Sequence, residues 1–267
     1  MTRIITVPGA DASGRGLPAI DLSTFAREIG RIPGLIHFID PLSVPGYAVN
    51  GTPVTAFADR VRGRPLRADP AQAPVMATEA GVAGGRTLLD VSGISECTLT
   101  AQDATFPADG AITFVGMFRP VPASIDGSVT PFLLRAIEGV TGRLSFLITA
   151  GANPALLLRD DTLNTGVAWP LDETVRAAIP FIAAFTINPR TGGLALYIND
   201  GSSPVAAVTV AQVVGYPKAH FTFGGAKLAV ASWRGRFGRQ LMWNRVLTSV
   251  ELRTVMQQFR DYYGVLV

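Results

Sequence analysis

Short apolar or alternating runs recur along this chain, separated by Gly, Pro, Asn and Asp. Such runs of roughly 4–8 residues between turn signals read as β-strands. They predict strands over Leu35 to Asp40, Val54 to Arg60, Leu88 to Val91 and Ala111 to Arg119. Three more follow over Phe132 to Ala136, Leu144 to Ile148 and Ala155 to Arg159. Helix and strand compete over Val175 to Ile187, where Pro180 and the β-branched end favour a strand from Phe181. Leu194 to Ile198 and Val205 to Val210 pair across an Asn199-Asp200-Gly201 turn. Phe221 to Gly225 and Gly238 to Asn244 are the last strands, the latter carrying Phe237, Leu241 and Trp243 toward one face. Arg62 to Ala73 and Gly166 to Pro170 read as loops.

Helical spacing stands out near the end. Leu252, Val255, Met256, Phe259 and Tyr263 form one apolar face. Thr248 is a good N-cap, Glu251 completes a capping box, and Gly264 sits where a left-handed C-cap belongs. Near the start, Leu22, Phe25, Ala26 and Ile29 predict a short helix capped by Asp21 or Ser23 and ended by Gly30. Residues 1–32 then read either as an arm that docks on the domain or another subunit, or as the first turn of the domain itself. Residues 33–267 form the main domain.

The end of the chain also resembles a known family. Met242-Trp243-Asn244-Arg245, Leu247-Thr248, Glu251 and the Tyr263-Gly264 pair are similar to the closing segment of concanavalin A-like (laminin-G-like) jelly-roll domains. The apolar run ending at Asp40 and the alternating run ending in Asp59-Arg60 resemble the first two strands of phage-type members. Leu88-Leu89-Asp90-Val91 resembles a third element, with Leu89 in place of an aromatic. The resemblance covers residues 35–267. It implies an all-β fold, a two-sheet antiparallel jelly-roll sandwich, with an N-terminal arm and a C-terminal helix.

Composition narrows the class. In 267 residues the apolar content is 48% and the charged content 16%, enough for a sizeable core and against disorder. The net charge of +3 is too small a basic excess for a nucleic-acid partner. Of 23 basic residues only Lys218 and Lys227 are lysines. Arg234, Arg236, Arg239 and Arg245 cluster before the helix and read as a solvated strand face or as salt bridges to a neighbouring subunit. The single cysteine, Cys97, excludes an internal disulfide and reads as a buried structural thiol. No run of about 18 apolar residues predicts a membrane span, and MTRIITVPGADASGRG lacks the apolar run of a signal peptide. A virion protein needs neither, because it assembles in the host cytoplasm and leaves by lysis.

Catalytic signatures do not emerge. Glycosidases need two carboxylates converging on one bond, which on a strand means acids at alternate positions. Asp160-Asp161 and Asp172-Glu173 are adjacent instead. Only His37 and His220 are available for a His-based metal site. Asp160, Asp161, Asn164 and Asp200 are the oxygen donors a rim calcium ion would use, although no loop has a calcium spacing. Trp169, near Asp160 and Asp161, is the aromatic best placed to stack on a sugar, whereas Trp233 and Trp243 lie in strand patterns and read as core.

The resemblance, together with these absences, implies a non-enzymatic structural and adhesive protein of a phage particle. It would be a tail fibre, spike or decoration subunit, with other virion proteins and its own copies as partners and a host glycan as ligand. Trp169, Asp160 and Asp161 are its candidate ligand-binding residues, with no catalytic or resident metal site. A purely structural capsid or tail component and a polysaccharide-active glycosidase are the alternatives.

Overall fold

The computed structural model describes residues 24–43, 51–61, 65–67, 73–78, 86–90, 99–101, 110–120, 132–138, 141–149, 153–161, 164–171, 178–210, 220–223 and 235–265. The chain runs through α1 (Thr24–Gly30), β1 (Leu35–Ile39), β2 (Ala56–Ala58), β3 (Pro65–Arg67), β4 (Val75–Thr78), β5 (Thr87–Asp90) and β6 (Leu99–Ala101). It continues through β7 (Ile112–Pro120), β8 (Phe132–Glu138), β9 (Thr141–Ile148), β10 (Ala155–Asp160), β11 (Thr165–Pro170) and β12 (Phe181–Asn188). The last elements are β13 (Gly193–Ile198), β14 (Ala206–Thr209), β15 (His220–Phe223), β16 (Gly235–Trp243) and α2 (Ser249–Tyr263).

Among the described residues these strands form two antiparallel sheets. The first runs β14–β13–β12–β7–β16–β5–β4, with β1 also paired to β16; the second runs β11–β10–β9–β8–β15–β6–β3–β2. The inner faces enclose one core, in which Phe114, Phe118 and Phe185 of the first sheet meet Phe146 of the second at ring-centroid distances of 5.2–6.0 Å. A second core lies on the opposite face of the first sheet, where Val115, Met117, Ile182, Leu241 and Trp243 are covered by α1 and α2. Burial on both faces explains why β7 and β12 read as nearly unbroken apolar runs. β10 and β13 are covered on one face and alternate residue by residue.

The helix α2 forms as its sequence predicts. The Thr248 side chain accepts from the Glu251 backbone N–H, and Glu251 accepts from the Thr248 backbone N–H. Leu252, Val255, Met256, Phe259 and Tyr263 are all buried, and Gly264 ends the helix at φ 65°. Helix α1 packs on α2, with Phe25 edge-on to Phe259 at 5.1 Å. Phe25, Ile29 and Ile32 are buried there; Asp21, Leu22 and Ser23 lie outside the described residues.

Four strands depart from the predicted pattern. β3 lies within the expected loop from Arg62, and β11 occupies the expected loop at 166–170. The short β4 and β6 carried no period-two signal long enough to register. β16 also does not keep Phe237, Leu241 and Trp243 on one face. Gly238 and Arg239 together oppose Met117, because Phe237 pairs with Phe118 and Gln240 with Gly116. This bulge inverts the alternation: Phe237 enters the inter-sheet core, whereas Leu241 and Trp243 enter the helix-covered one.

Glu251 also receives both terminal nitrogens of Arg245 at 2.6 and 2.9 Å. These bonds, foremost Arg245, lower its carboxyl to about 2. A depressed carboxyl stabilises the fold above its unfolded pKa, and the contribution disappears as pH falls through the folded value. The thermal midpoint should therefore drop between pH ~4.5 and ~2, and Glu251→Gln should lower it at pH 7 and weaken that acid dependence. Differential scanning calorimetry across this pH range checks both effects.

Candidate functional site

The three described arginines before α2, Arg236, Arg239 and Arg245, are each engaged within the chain rather than forming a solvated face. Arg236 bonds Asp90 at 2.7 Å and Arg245 bonds Glu251, while Arg239 is fully buried. The bulge turns Arg239 toward the helices. Its guanidinium lies 4.4 Å from the Phe25 ring centroid and 3.9 Å from that of Tyr262, and it pairs with buried Asp40 at 3.2 Å. Arg60 reaches the same Asp40 oxygen. Tyr263 accepts the Arg239 backbone N–H at 2.7 Å, and burial pushes its phenol pKa up. Arg234 lies outside the described residues, as do Trp233, Cys97, Asp172 and Glu173. Trp243 is completely buried, as a core residue.

His37 and Asp59 form a second buried pair, with Nδ1 2.5 Å from a carboxylate oxygen. A His–Asp pair invites a catalytic reading, but these side chains are only 4% and 1% exposed. Asp59 also accepts from the backbone N–H groups of Phe38 and Val61, so it ties the end of β2 to β1. Burial by itself would raise its pKa; the bond and charge of His37, with the two backbone donors, outweigh that and lower it. Its role is structural.

The three sequence-predicted ligand residues occupy different environments. Asp160 ends β10 with no exposed surface, on the inward side with Leu156 and Leu158. Asp161 follows in the turn, where it accepts from Arg159 Nε at 2.9 Å and Ser145 Oγ at 2.6 Å. Trp169 pairs with Leu156 in β11, half-buried, and packs against the inter-sheet core where β11 meets β13 and β14. Asp160 is opposite Thr165, so Trp169 lies four residues, about 13 Å, further along the strand. Of the calcium donors, Asn164 is near this turn, but Asp200 belongs to the other sheet and bonds Ser202. Among the described residues no group of three or more His, Cys, Asp or Glu side chains could hold a metal.

What the sheet register does assemble is a groove on the outer face of the first sheet. The helices cover β7, β16 and the Ile182–Ala184 part of β12 there, and the cavity lies beyond them, at the Thr186–Asn188 end of β12 and along β13 and β14. Thr186 pairs with Ala195, and Ala195 with Ala207, so one cross-strand row is made of small side chains. Gly193 and Thr209 form the next row. Val246, in the connection from β16 to α2, stands at one side. That connection is held down by Thr113, whose hydroxyl donates to the Arg245 carbonyl and accepts from the Leu247 N–H. The resulting cavity is about 260 Å³. A depression of about 170 Å³ adjoins it, sharing Asn188 and Val246 and adding Arg190. Asn188 Oδ1 accepts from the N–H groups of Arg190 and Thr191, fixing the turn that carries the arginine. No single segment signalled this groove; the Asn188-Pro189-Arg190 turn was legible, but its juxtaposition with Ala207 and Val246 was not.

No protein-family model matches the sequence, and no curated protein matches it. Solved structures do resemble it. The botulinum neurotoxin serotype C1 binding domain matches at TM-score 0.55 and 9% identity, over 85% of this chain and 52% of that one. The serotype D ligand binding domain, in complex with N-acetylneuraminic acid, matches at 0.53 and 12%, over 88% and 54%. A mutant Trypanosoma rangeli sialidase displaying trans-sialidase activity matches at 0.55 and 18%, over 87% and 34%. The chain thus spans about half the length of these toxin domains and about a third of the sialidase. At such identities the likeness establishes fold alone. The fold is a two-sheet antiparallel jelly-roll sandwich of the concanavalin A-like type, with a short N-terminal helix and a C-terminal helix. Among the described residues, no helix is long and apolar enough to cross a membrane.

Because Asp59 leaves a buried partner behind, Asp59→Asn should destabilise the fold by about 3–5 kcal/mol at pH 7. The difference from wild type should shrink as pH falls through the depressed Asp59 pKa, since a protonated Asp59 loses the same interaction. Urea denaturation at pH 7 and at pH 3 checks this.

Proposed function

We propose that this chain is a non-enzymatic, lectin-like binding module of a phage particle. In this reading it is a tail fibre, spike or decoration subunit, held by other virion proteins, that presents the sandwich to host-surface glycans. The observation carrying binding rather than catalysis is the outer groove: a small cleft of mixed polar and apolar lining beside the helices, with no carboxylate among its described lining residues. Its volume lies just below the roughly 300–1,000 Å³ of drug-sized sites, which suits one sugar ring. The exposed Thr209 hydroxyl and the Asn188 amide nitrogen would supply polar contacts that orient a polyol. Elsewhere, Asp40, Asp59, Asp90, Asp161 and Glu251 are already bonded to cationic or His side chains, which disfavours a glycosidase carboxylate pair.

The jelly-roll likeness supports a scaffold able to carry such a site, one of the similar domains being in complex with N-acetylneuraminic acid. The virion assignment draws its support from the similarity of the Leu35–Asp40 and Val54–Arg60 segments to phage-type members. A purely structural particle component is the second reading, favoured by the packing of Trp169 against the core rather than in an open platform.

A glycan array with purified protein, with and without calcium, separates these readings. Wild type should bind, and Ala207→Trp, which fills the groove from an exposed position, should reduce binding at least about tenfold with the fold intact. Trp169→Ala should retain binding but destabilise by less than the ~3–5 kcal/mol of a fully buried Trp. Binding lost only in Trp169→Ala would move the site to the β10–β11 edge. Absence of binding by wild type would favour the structural component.

A further inference from the structure

We infer that the groove selects a saccharide bearing a carboxylate, with Arg190 as the residue that reads it. This inference rests on the groove being the ligand site. Arg190 is the one charged residue lining either depression among the described residues, and it is exposed. It stands at the mouth shared through Asn188 and Val246, so a ring seated over Ala195 and Ala207 would direct a substituent toward it. The turn is ordered for the purpose: Asn188 Oδ1 binds two successive backbone N–H groups, and the Thr191 hydroxyl accepts from Gly193. The arginine is therefore projected from a fixed backbone, and less entropy is lost on binding.

A guanidinium presents two parallel N–H donors that match a carboxylate in a way a hydroxyl does not. No acid stands among the described lining residues, so an anionic substituent there would meet the Arg190 charge without a lining carboxylate to repel it. The small residues of the floor admit the ring but give it no aromatic face, so affinity must come from hydrogen bonds and charge rather than from stacking.

The test is a titration of the full chain, followed by isothermal calorimetry at low salt, with glucuronic acid, glucose and acetate as probes. The two sugars share a ring and differ at the carboxylate; acetate has the carboxylate without the ring. Wild type should bind glucuronate about tenfold or more tightly than glucose, and acetate weakest. Arg190→Gln should abolish the glucuronate preference, bringing the two sugars to within about twofold of each other, and Arg190→Lys should restore part of it. Equal affinity for glucuronate and glucose in wild type would overturn the charge selection and leave the groove as a neutral-sugar site. Acetate binding as tightly as glucuronate would overturn it in favour of a surface anion contact. If neither sugar binds and Ala207→Trp has no effect on any glycan, both this inference and the groove reading fail together.

Discussion

The structure turns on one buried cation. Arg239 sits where no surface is exposed, and taking a guanidinium out of water costs several kcal/mol unless it is well paired. Two kinds of contact offset that cost: Asp40 supplies the opposite charge, and the rings of Phe25 and Tyr262 supply cation–π faces. Tyr263 separately accepts the backbone N–H of the same residue. These partners come from the end of β1, from α1 and from α2, so satisfying one charge draws three separate segments onto β16. Gly238 makes the approach feasible: a Cβ there would lie 2.4 Å from the Tyr263 hydroxyl oxygen. The two-residue bulge at Gly238 and Arg239 is the local distortion that delivers the arginine to the helix side.

That arrangement also decides what remains open. Helices drawn over β7, β16 and the Ile182–Ala184 part of β12 stop short of the Thr186–Asn188 end of that strand, and the β16–α2 connection becomes the wall of a groove there. The sheet itself supplies a floor of small residues, because the register places Ala195 beside both Thr186 and Ala207 and Gly193 beside Thr209. The buried electrostatic hub and the candidate ligand site are thus linked through the same connection, although they lie on different parts of the molecule. Jelly-roll sandwiches host many functions, so the fold does not choose between ligand binding and a purely structural role. The proposal of ligand binding rests instead on the groove, whose described lining residues offer neutral hydrogen-bonding groups and one arginine.

The separation of the original candidate residues is informative in the same way. Trp169, Asp160 and Asp161 are close in sequence, but β10 and β11 are paired strands whose side chains alternate between faces. Asp160 turns inward, Asp161 bonds Arg159 and Ser145, and Trp169 packs against the core near the sandwich edge. A Gly-Val-Ala-Trp-Pro stretch looked like a loop because its flanking Gly and Pro are turn formers. As an edge strand, β11 tolerates both.

Sequence alone determined the elements whose causes are local. The capping box of Thr248 and Glu251, the Gly264 cap and the apolar face of α2 need only neighbouring residues, and all appear in the structure. The same holds for the strand at Phe181–Asn188 and for the hairpin about Asn199, where runs are long or the turn chemistry is explicit. Tertiary structure decided everything that depends on parity and pairing. One extra residue in β16 moved Phe237 and Leu241 to opposite cores and buried Arg239, and no local pattern announces a bulge whose backbone bonds a tyrosine 24 residues away. The groove likewise exists only through register, since Thr186, Ala195, Ala207 and Val246 carry no shared signal until the strands pair. Local backbone preferences act within a few residues, whereas burial of a charge and the alignment of strands are properties of the whole sheet.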